Sequence, residues 1–299
     1  MIYLLLSIAA STLIFIVFKL FSKYNINTLH AIVINYVVAC ICGLIAYDGK
    51  IEIGEIINSD WFLGASLLGF MFIAIFNVMA LTSQRNGLSV ASVASKMSVI
   101  IPVVFGFYAY KESMGLQKVF GIVMALVAVY LTSKNPKTTK NLTKGLWLPI
   151  ILFFGSGIID TSIKYIETTY LPENGIPIFS ATVFVFAFTI GICIIAYNNL
   201  IGKPKLSVEK IQTNTTKDRF KVVFGGSCLG IVNYLSIYYV LKALDHESLE
   251  SSVIFTVNNV AIVMLTTLIG LFAFKENISR TNWVGIALAI ISIALVTFA

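Results

Sequence analysis

Residues 101–132, IPVVFGFYAYKESMGLQKVFGIVMALVAVYLT, return near the C-terminus at an offset of 164 positions. Gly106 falls on Gly270, Ala109 on Ala273, Lys111 on Lys275, Glu112 on Glu276, Gly121 on Gly285, Ile122 on Ile286, Ala125 on Ala289 and Leu131 on Leu295. Each copy reads as an apolar helix, a tight polar break carrying Lys-Glu, and a second apolar helix that opens with Gly-x-x-x-Ala. One structural unit is used twice, and the fold has to accommodate both copies.

The medium for that fold follows from composition. With 58% apolar and 12% charged residues and a mean hydropathy of +0.91, the chain has too little polar surface to cover a water-soluble globule. Ten apolar segments approach or reach the ~17–25 residues that cross a bilayer: 2–18, 28–47, 61–82, 87–110, 118–132, 146–166, 176–197, 220–241, 248–274 and 283–298. They lack strand-type alternation, and unpaired backbone is prohibitive in lipid, so they are expected to be helices. The expectation is an all-α, multi-pass membrane protein of ten transmembrane helices in a plasma membrane, the inner one in a bacterium. The first apolar run has no basic leader and continues into Lys19, so it reads as a span and not as a cleavable signal. The net charge of +7 sits mainly in lysine-rich loops beside apolar spans, which points to the cytoplasmic face of a membrane and not to nucleic acid. Cys40, Cys42, Cys193 and Cys228 lie inside apolar runs without metal or redox spacing.

Loop charge sets orientation. Lys19, Lys23, Arg85, Lys134, Lys137, Lys140, Lys144, Lys203, Lys205, Lys210, Lys217, Arg219, Lys221, Lys275 and Arg280 flank the connections after odd-numbered segments. Connections after even-numbered segments hold Lys50, Lys111, Lys118 and Lys242. The positive-inside rule then places the odd connections in the cytoplasm and both termini outside. Five helices per half is an odd number, so the second copy enters the membrane from the opposite side. The halves, 1–133 and 146–299 around a lysine-rich linker at 134–145, form an inverted 5+5 repeat. A weaker match agrees with this: at an offset of 145, Ser11 and Lys19 fall on Ser156 and Lys164. Inverted repeats supply two nearly equivalent conformations and hence alternating access around a midplane site.

The paired pattern PVVFGFYAYKESMGLQKVFGIVMA and TTLIGLFAFKENISRTNWVGIALA resembles the EamA-type domain of the drug/metabolite transporter superfamily. The resemblance covers essentially the whole chain as two EamA-type domains, and implies an exporter or exchanger of metabolites. Lys-Glu stands in both copies where the family carries Gly-Glu, and Ser11-Thr12 stands where its first helix often has Trp-Gly. Many relatives keep both termini in the cytoplasm, whereas the charges here argue the reverse.

The residue most telling about a site is Lys96, about ten positions into the fourth segment. An unpaired ammonium near the bilayer centre costs at least about 2.5–3.5 kcal/mol and cannot face lipid. Ser89 and Ser92 share its helical face, and Pro102 removes a hydrogen bond to the Ser98 carbonyl and is expected to kink the helix. Lys96 is expected to hold a carboxylate or phosphate of the substrate, or else to form a structural ion pair with Asp160. Asp160, an acid within a span, has Lys164 one turn after it. It pairs locally with Lys164, or neutralises Lys96 when no substrate is bound and exchanges a proton during the cycle, so Asp160 and Lys164 are the candidates for proton or charge coupling. Asn77, Asn233, Tyr234, Tyr238, Asn258 and Asn259 complete the expected substrate-binding set, with helix–helix hydrogen bonding as the other reading of each amide. Such a cavity suits a small amphipathic or anionic metabolite such as an amino acid.

Other features read as scaffold. Gly121/Ala125, Gly285/Ala289 and Gly226/Gly230 are small-x-x-x-small steps that let helices approach closely. A monomer is the expectation, with a homodimer through the fifth and tenth segments as the alternative. Trp61, Trp147 and Trp283 each open a span, where interfacial anchors belong. Lys19 and Lys164, near helix ends, can snorkel, and the two Lys-Glu breaks suit turn and helix-cap chemistry on opposite membrane faces, while the family resemblance allows them a gating role. His30 and His246 lie near helix ends with no catalytic or metal-binding motif around them, so neither an enzyme nor a cofactor is expected. The absence of a phosphate-binding loop points to transport driven by gradients or exchange. A flippase for a lipid-linked or phosphate-bearing substrate is the alternative within transport, since lysine binds phosphate as readily as carboxylate.

Overall fold

Backbone amides inside hydrocarbon have no water to bond with, and the chain meets that constraint with helices. The computed structural model describes residues 2–47, 53–102, 104–105, 115–133, 142–172, 175–201, 216–246 and 251–297, among which no strand occurs. Its helices are α1 (Ile2–Lys23), α2 (Thr28–Ile45), α3 (Phe62–Arg85), α4 (Leu88–Met97), α5 (Leu116–Ser133), α6 (Leu142–Tyr170), α7 (Ile176–Ile201), α8 (Thr216–His246), α9 (Ser251–Phe272) and α10 (Arg280–Thr297), with a single turn at Ile53–Ile57 between α2 and α3. Each falls on one of the ten expected segments. Among the described residues α1, α2, α3, α6, α7 and α8 are long and apolar enough to cross a membrane, and the apolar runs of the other four are shorter. Lys111-Glu112 of the first break and residues 134–141 of the linker lie outside the described residues.

Local chemistry fixes several helix ends. Asn27 caps α2 by accepting from the His30 amide at 3.2 Å. At α10, Ser279 Oγ accepts from the Asn282 amide at 3.2 Å while Asn282 Oδ1 accepts from the Ser279 amide at 3.1 Å, a reciprocal cap. The same Asn282 donates through Nδ2 to the Thr132 carbonyl at 2.6 Å, serving an orphan acceptor at the end of α5.

The chain packs as two compact units. The first gathers Met1–Lys19, Val78–Thr161 and Leu235–Ala299, and the second Leu20–Asn77 and Ser162–Tyr234. Each unit draws on both copies of the repeat, and the division falls within α1, α3, α6 and α8. Packing units and sequence repeats are therefore different divisions of this chain.

In the first unit α5 lies on α10 and α4 on α9, around a core of Val93, Met97, Ile100, Ala125, Ala128, Phe153, Val263, Ile286 and Ala289. Lipid tails are as apolar as these side chains, so close backbone approach and interhelical hydrogen bonds hold such helices together. Ser292 donates to the Gly121 carbonyl at 2.7 Å, and a Cβ on Gly285 would stand 2.7 Å from the Thr132 amide nitrogen. The small-residue faces of α5 and α10 thus lie against each other within one chain.

In the second unit α2 lies on α7. Tyr36, fully buried, sits between Phe76 and Phe184, with ring centroids 5.8 and 5.9 Å away. Gly226 and Gly230 of α8 press on the α2 backbone, where a Cβ would come within 2.6 Å of the Ala31 carbonyl and 2.7 Å of the Asn35 carbonyl. Trp61, expected as an interfacial anchor, is instead buried edge-on to Phe179, while Trp147 and Trp283 keep open surface.

Candidate functional site

The polar groups of the first unit converge on α4. Ser89, Ser92 and Lys96 share one face of it, and the two serines are buried. Ser92 donates to the Ser89 carbonyl at 3.1 Å and accepts from Thr266 of α9 at 2.7 Å. Ser89 Oγ is buried with no hydrogen-bond partner. Lys96 is half-buried, and among the described residues it makes no hydrogen bond or ion pair.

Immediately after Lys96 the helix breaks. α4 ends at Met97, Ser98 and Val99 form a turn, and helix resumes at Ile100–Pro102. The Ser98 carbonyl, which the missing amide of Pro102 leaves unpaired, accepts instead from the Ile101 amide at 2.9 Å. Gly157 of α6 abuts this break, since a Cβ there would lie 2.7 Å from the Ile101 Cβ. One turn further along α6 is Asp160. Its Oδ2 stands 3.4 Å from Ser98 Oγ, whose closer partner is the Ser95 carbonyl at 2.5 Å. Asp160 is exposed, close enough to Lys96 to feel its charge but not within ion-pair distance of it. Ionisable side chains within spanning helices almost always face a bundle interior or a water-filled cavity.

A second polar group in the first unit involves α1, α8 and α9. Ser7 donates to the Ser236 carbonyl and stands 3.2 Å from Asn258 Oδ1. Asn258 and Asn259 are both buried. Tyr238 is partly open, with Lys242 Nζ 5.9 Å above its ring and Tyr239 edge-on at 5.5 Å. Of the expected site residues, then, Lys96, Ser92, Pro102, Asp160, Tyr238, Asn258 and Asn259 belong to the first unit.

Asn77, Lys164, Asn233 and Tyr234 belong to the second. There Asn233 donates to Asn35 Oδ1 at 3.3 Å, and Asn77 turns back on its own helix to the Ile73 carbonyl at 2.7 Å. Lys164 is exposed. The residues that sequence reading passed over are Ser98, Thr266 and Ser7, ordinary hydroxyls whose importance lies only in what faces them. Lys19 does not snorkel freely: it reaches the Ser83 carbonyl at 3.1 Å and Glu276 at 2.9 Å.

Chemically the first-unit arrangement offers a cation and an anion, held apart beside a broken helix and flanked by hydroxyls. Broken spanning helices are where transporters place substrate and coupling sites.

Comparison with known proteins agrees in kind. An uncharacterised protein of Haemophilus influenzae is 26% identical over 299 residues, covering 97% of this chain and 95% of its own. A solved crystal structure superimposes with a TM-score of 0.56 at 13% identity, covering 99% of this chain and 98% of the other, which shows likeness of fold. The family model for EamA-like transporters matches residues 1–134. The chain is thus an integral, multi-pass membrane protein whose residues 1–134 are similar to the EamA-like transporter family.

Proposed function

We propose that this protein is a secondary-active exporter or exchanger of a small charged metabolite, working by alternating access around Lys96 and Asp160. The observation that carries the reading is the state of those two side chains. Each is held within the first unit, neither lies within ion-pair distance of the other, and the helix that carries Lys96 breaks at the serine that faces Asp160. Leaving two opposite charges in a membrane protein without a direct partner costs several kcal/mol, and a ligand bearing the complementary charges relieves that cost. Lys96 would take a carboxylate or phosphate. Asp160 would take an ammonium or exchange a proton. A zwitterion such as an amino acid satisfies both.

Alternating access draws support from the packing of repeat partners. α2 lies on α7, α4 on α9 and α5 on α10, so three of the five helices of the first copy meet the helix five places later, an arrangement that suits a pseudo-twofold between two copies. Lys96 is eight residues from the start of α4, about 12 Å at 1.5 Å per residue, against a hydrocarbon half-thickness of about 15 Å.

The test is thermal unfolding of the purified protein in detergent against amino acids, organic acids, sugar phosphates, nucleotide sugars and lipid phosphates, with Lys96→Ala and Asp160→Asn in parallel. A ligand at one hundred times its dissociation constant stabilises by about 2.7 kcal/mol. One chemical class is expected to stabilise the parent and neither variant. Equal stabilisation of parent and variants removes Lys96 and Asp160 from the site, and a response to lipid phosphates alone makes the protein a flippase.

A further inference from the structure

Glu276 follows Lys275 in the turn between α9 and α10, and Lys275 adopts a left-handed conformation with φ 52°. Its carboxylate does not cap its own helix. Both oxygens accept from the Leu88 amide at the start of α4, each at 3.0 Å, and Oε1 lies 2.9 Å from Lys19 of α1. Lys19 also donates to the Ser83 carbonyl at the end of α3, and Gln84 beside it donates to the Phe18 carbonyl of α1. Ends of α1, α3, α4 and α9 are thus fastened at one carboxylate, all within the first unit. Two glycines make room for it: a Cβ on Gly87 or Gly270 would lie 2.7 or 2.6 Å from Oε2. Gly87 itself has φ 109° and offers α4 no side-chain cap.

The usual N-cap is a short side chain next to the helix it serves, so the cap travels with the helix. Here the cap comes from 188 residues away, and its counter-charge comes from a third helix. The α4 amide and the lysine are satisfied together only while the α9–α10 turn, α1 and α4 keep these positions. The side chains of Lys19 and Glu276 remain 20% and 12% exposed, so water can replace each partner when they part. The face of α4 leading from this point carries Ser89, Ser92 and Lys96, and the unpartnered Ser89 hydroxyl lies one residue beyond the fastening.

We infer that Lys19, Glu276 and the N-terminus of α4 form a latch that shuts this end of the Lys96 seam in one conformation of the transport cycle and parts in the other. The inference rests on the alternating-access reading above. Its test needs no substrate. Ser89→Cys is introduced where Cys40, Cys42, Cys193 and Cys228 are replaced by alanine, and its reaction with a charged, membrane-impermeant maleimide is timed on the purified protein in detergent. Labelling is expected to be slow with the latch intact and at least tenfold faster with Glu276→Gln. Lys19→Met, which leaves the carboxylate on the α4 amide, should fall between the two. Val263→Cys, fully buried in the core of the same unit, should stay unreactive throughout. Unchanged Ser89→Cys labelling in both folded variants overturns the latch. So does acceleration that Val263→Cys shares, since that is general loosening. If labelling fails while a ligand still requires Lys96 for its stabilising effect, the latch falls and the central site stands. The converse result condemns the site alone.

Discussion

The Ser92–Thr266 contact shows what a single hydroxyl does in this chain. Thr266 Oγ1 lies 2.7 Å from Ser92 Oγ and, on its own helix, 2.7 Å from the Ile262 carbonyl, with both residues fully buried. Ser92→Ala removes an acceptor and leaves a cavity the size of one oxygen, and is expected to cost about 1–3 kcal/mol. Thr266→Val, which keeps the shape, should restore part of that loss in the double variant. A denaturant double-mutant cycle in detergent should give a coupling of about 0.5 kcal/mol or more, and strict additivity would show that the contact holds nothing. At this scale the sequence announces charges better than hydroxyls. Lys96 and Asp160 stand out because a charge in an apolar helix needs a reason, and Pro102 because it removes an amide. Ser98 and Thr266 carry no such signal, since serine and threonine are common in spanning helices and only a facing partner distinguishes them. Lys19 misleads for the opposite reason: a lysine at a helix end usually snorkels, and only the fold brings Glu276 to it.

Among the elements, the pairing of α5 with α10 is the most legible, because Gly-x-x-x-Ala in both copies marks the face where backbones meet. Within the chain, Gly285 approaches Thr132 and Ala128 closely. A methyl on Gly285 would press on backbone atoms that cannot rotate away, so Gly285→Ala is expected to destabilise by about 1–3 kcal/mol. Gly115, at the start of α5, has nothing within 4 Å of its would-be Cβ, and Gly115→Ala should stay within about 0.5 kcal/mol of the parent. Thermal unfolding of the two variants side by side checks both figures, and equal effects would mean that α5 and α10 do not touch at Gly285. The α4 break is legible in a coarser way. Pro102 forecasts a disturbance, but its location, with the turn at Ser98 and Ile101 supplying the substitute amide, depends on how Gly157 lets α6 approach.

For the whole molecule, the repeat makes its strongest claim about sidedness. The connection between α4 and α5 and the one between α9 and α10 are the same place in the two copies, and if each copy crosses an odd number of times they are expected on opposite faces of the membrane. Basic residues concentrate after α1, α3, α5, α7 and α9, and on the positive-inside rule the expectation is that those connections, and the Lys19–Glu276 fastening with them, face the cytoplasm. Single cysteines in the cysteine-free background make this directly measurable, because Asn25, Asn58, Arg85, Gly115, Thr169 and Asn277 are all exposed. In intact cells an impermeant maleimide is expected to label cysteines at Asn58, Gly115 and Thr169, and to reach those at Asn25, Arg85 and Asn277 only after permeabilisation. A uniform reversal would keep the inverted repeat and overturn the orientation, moving the latch to the outer face and both termini inside. Labelling of Gly115→Cys and Asn277→Cys from the same side would be more damaging. It would make the two copies parallel, deprive them of mirror-image conformations, and leave alternating access without its structural basis.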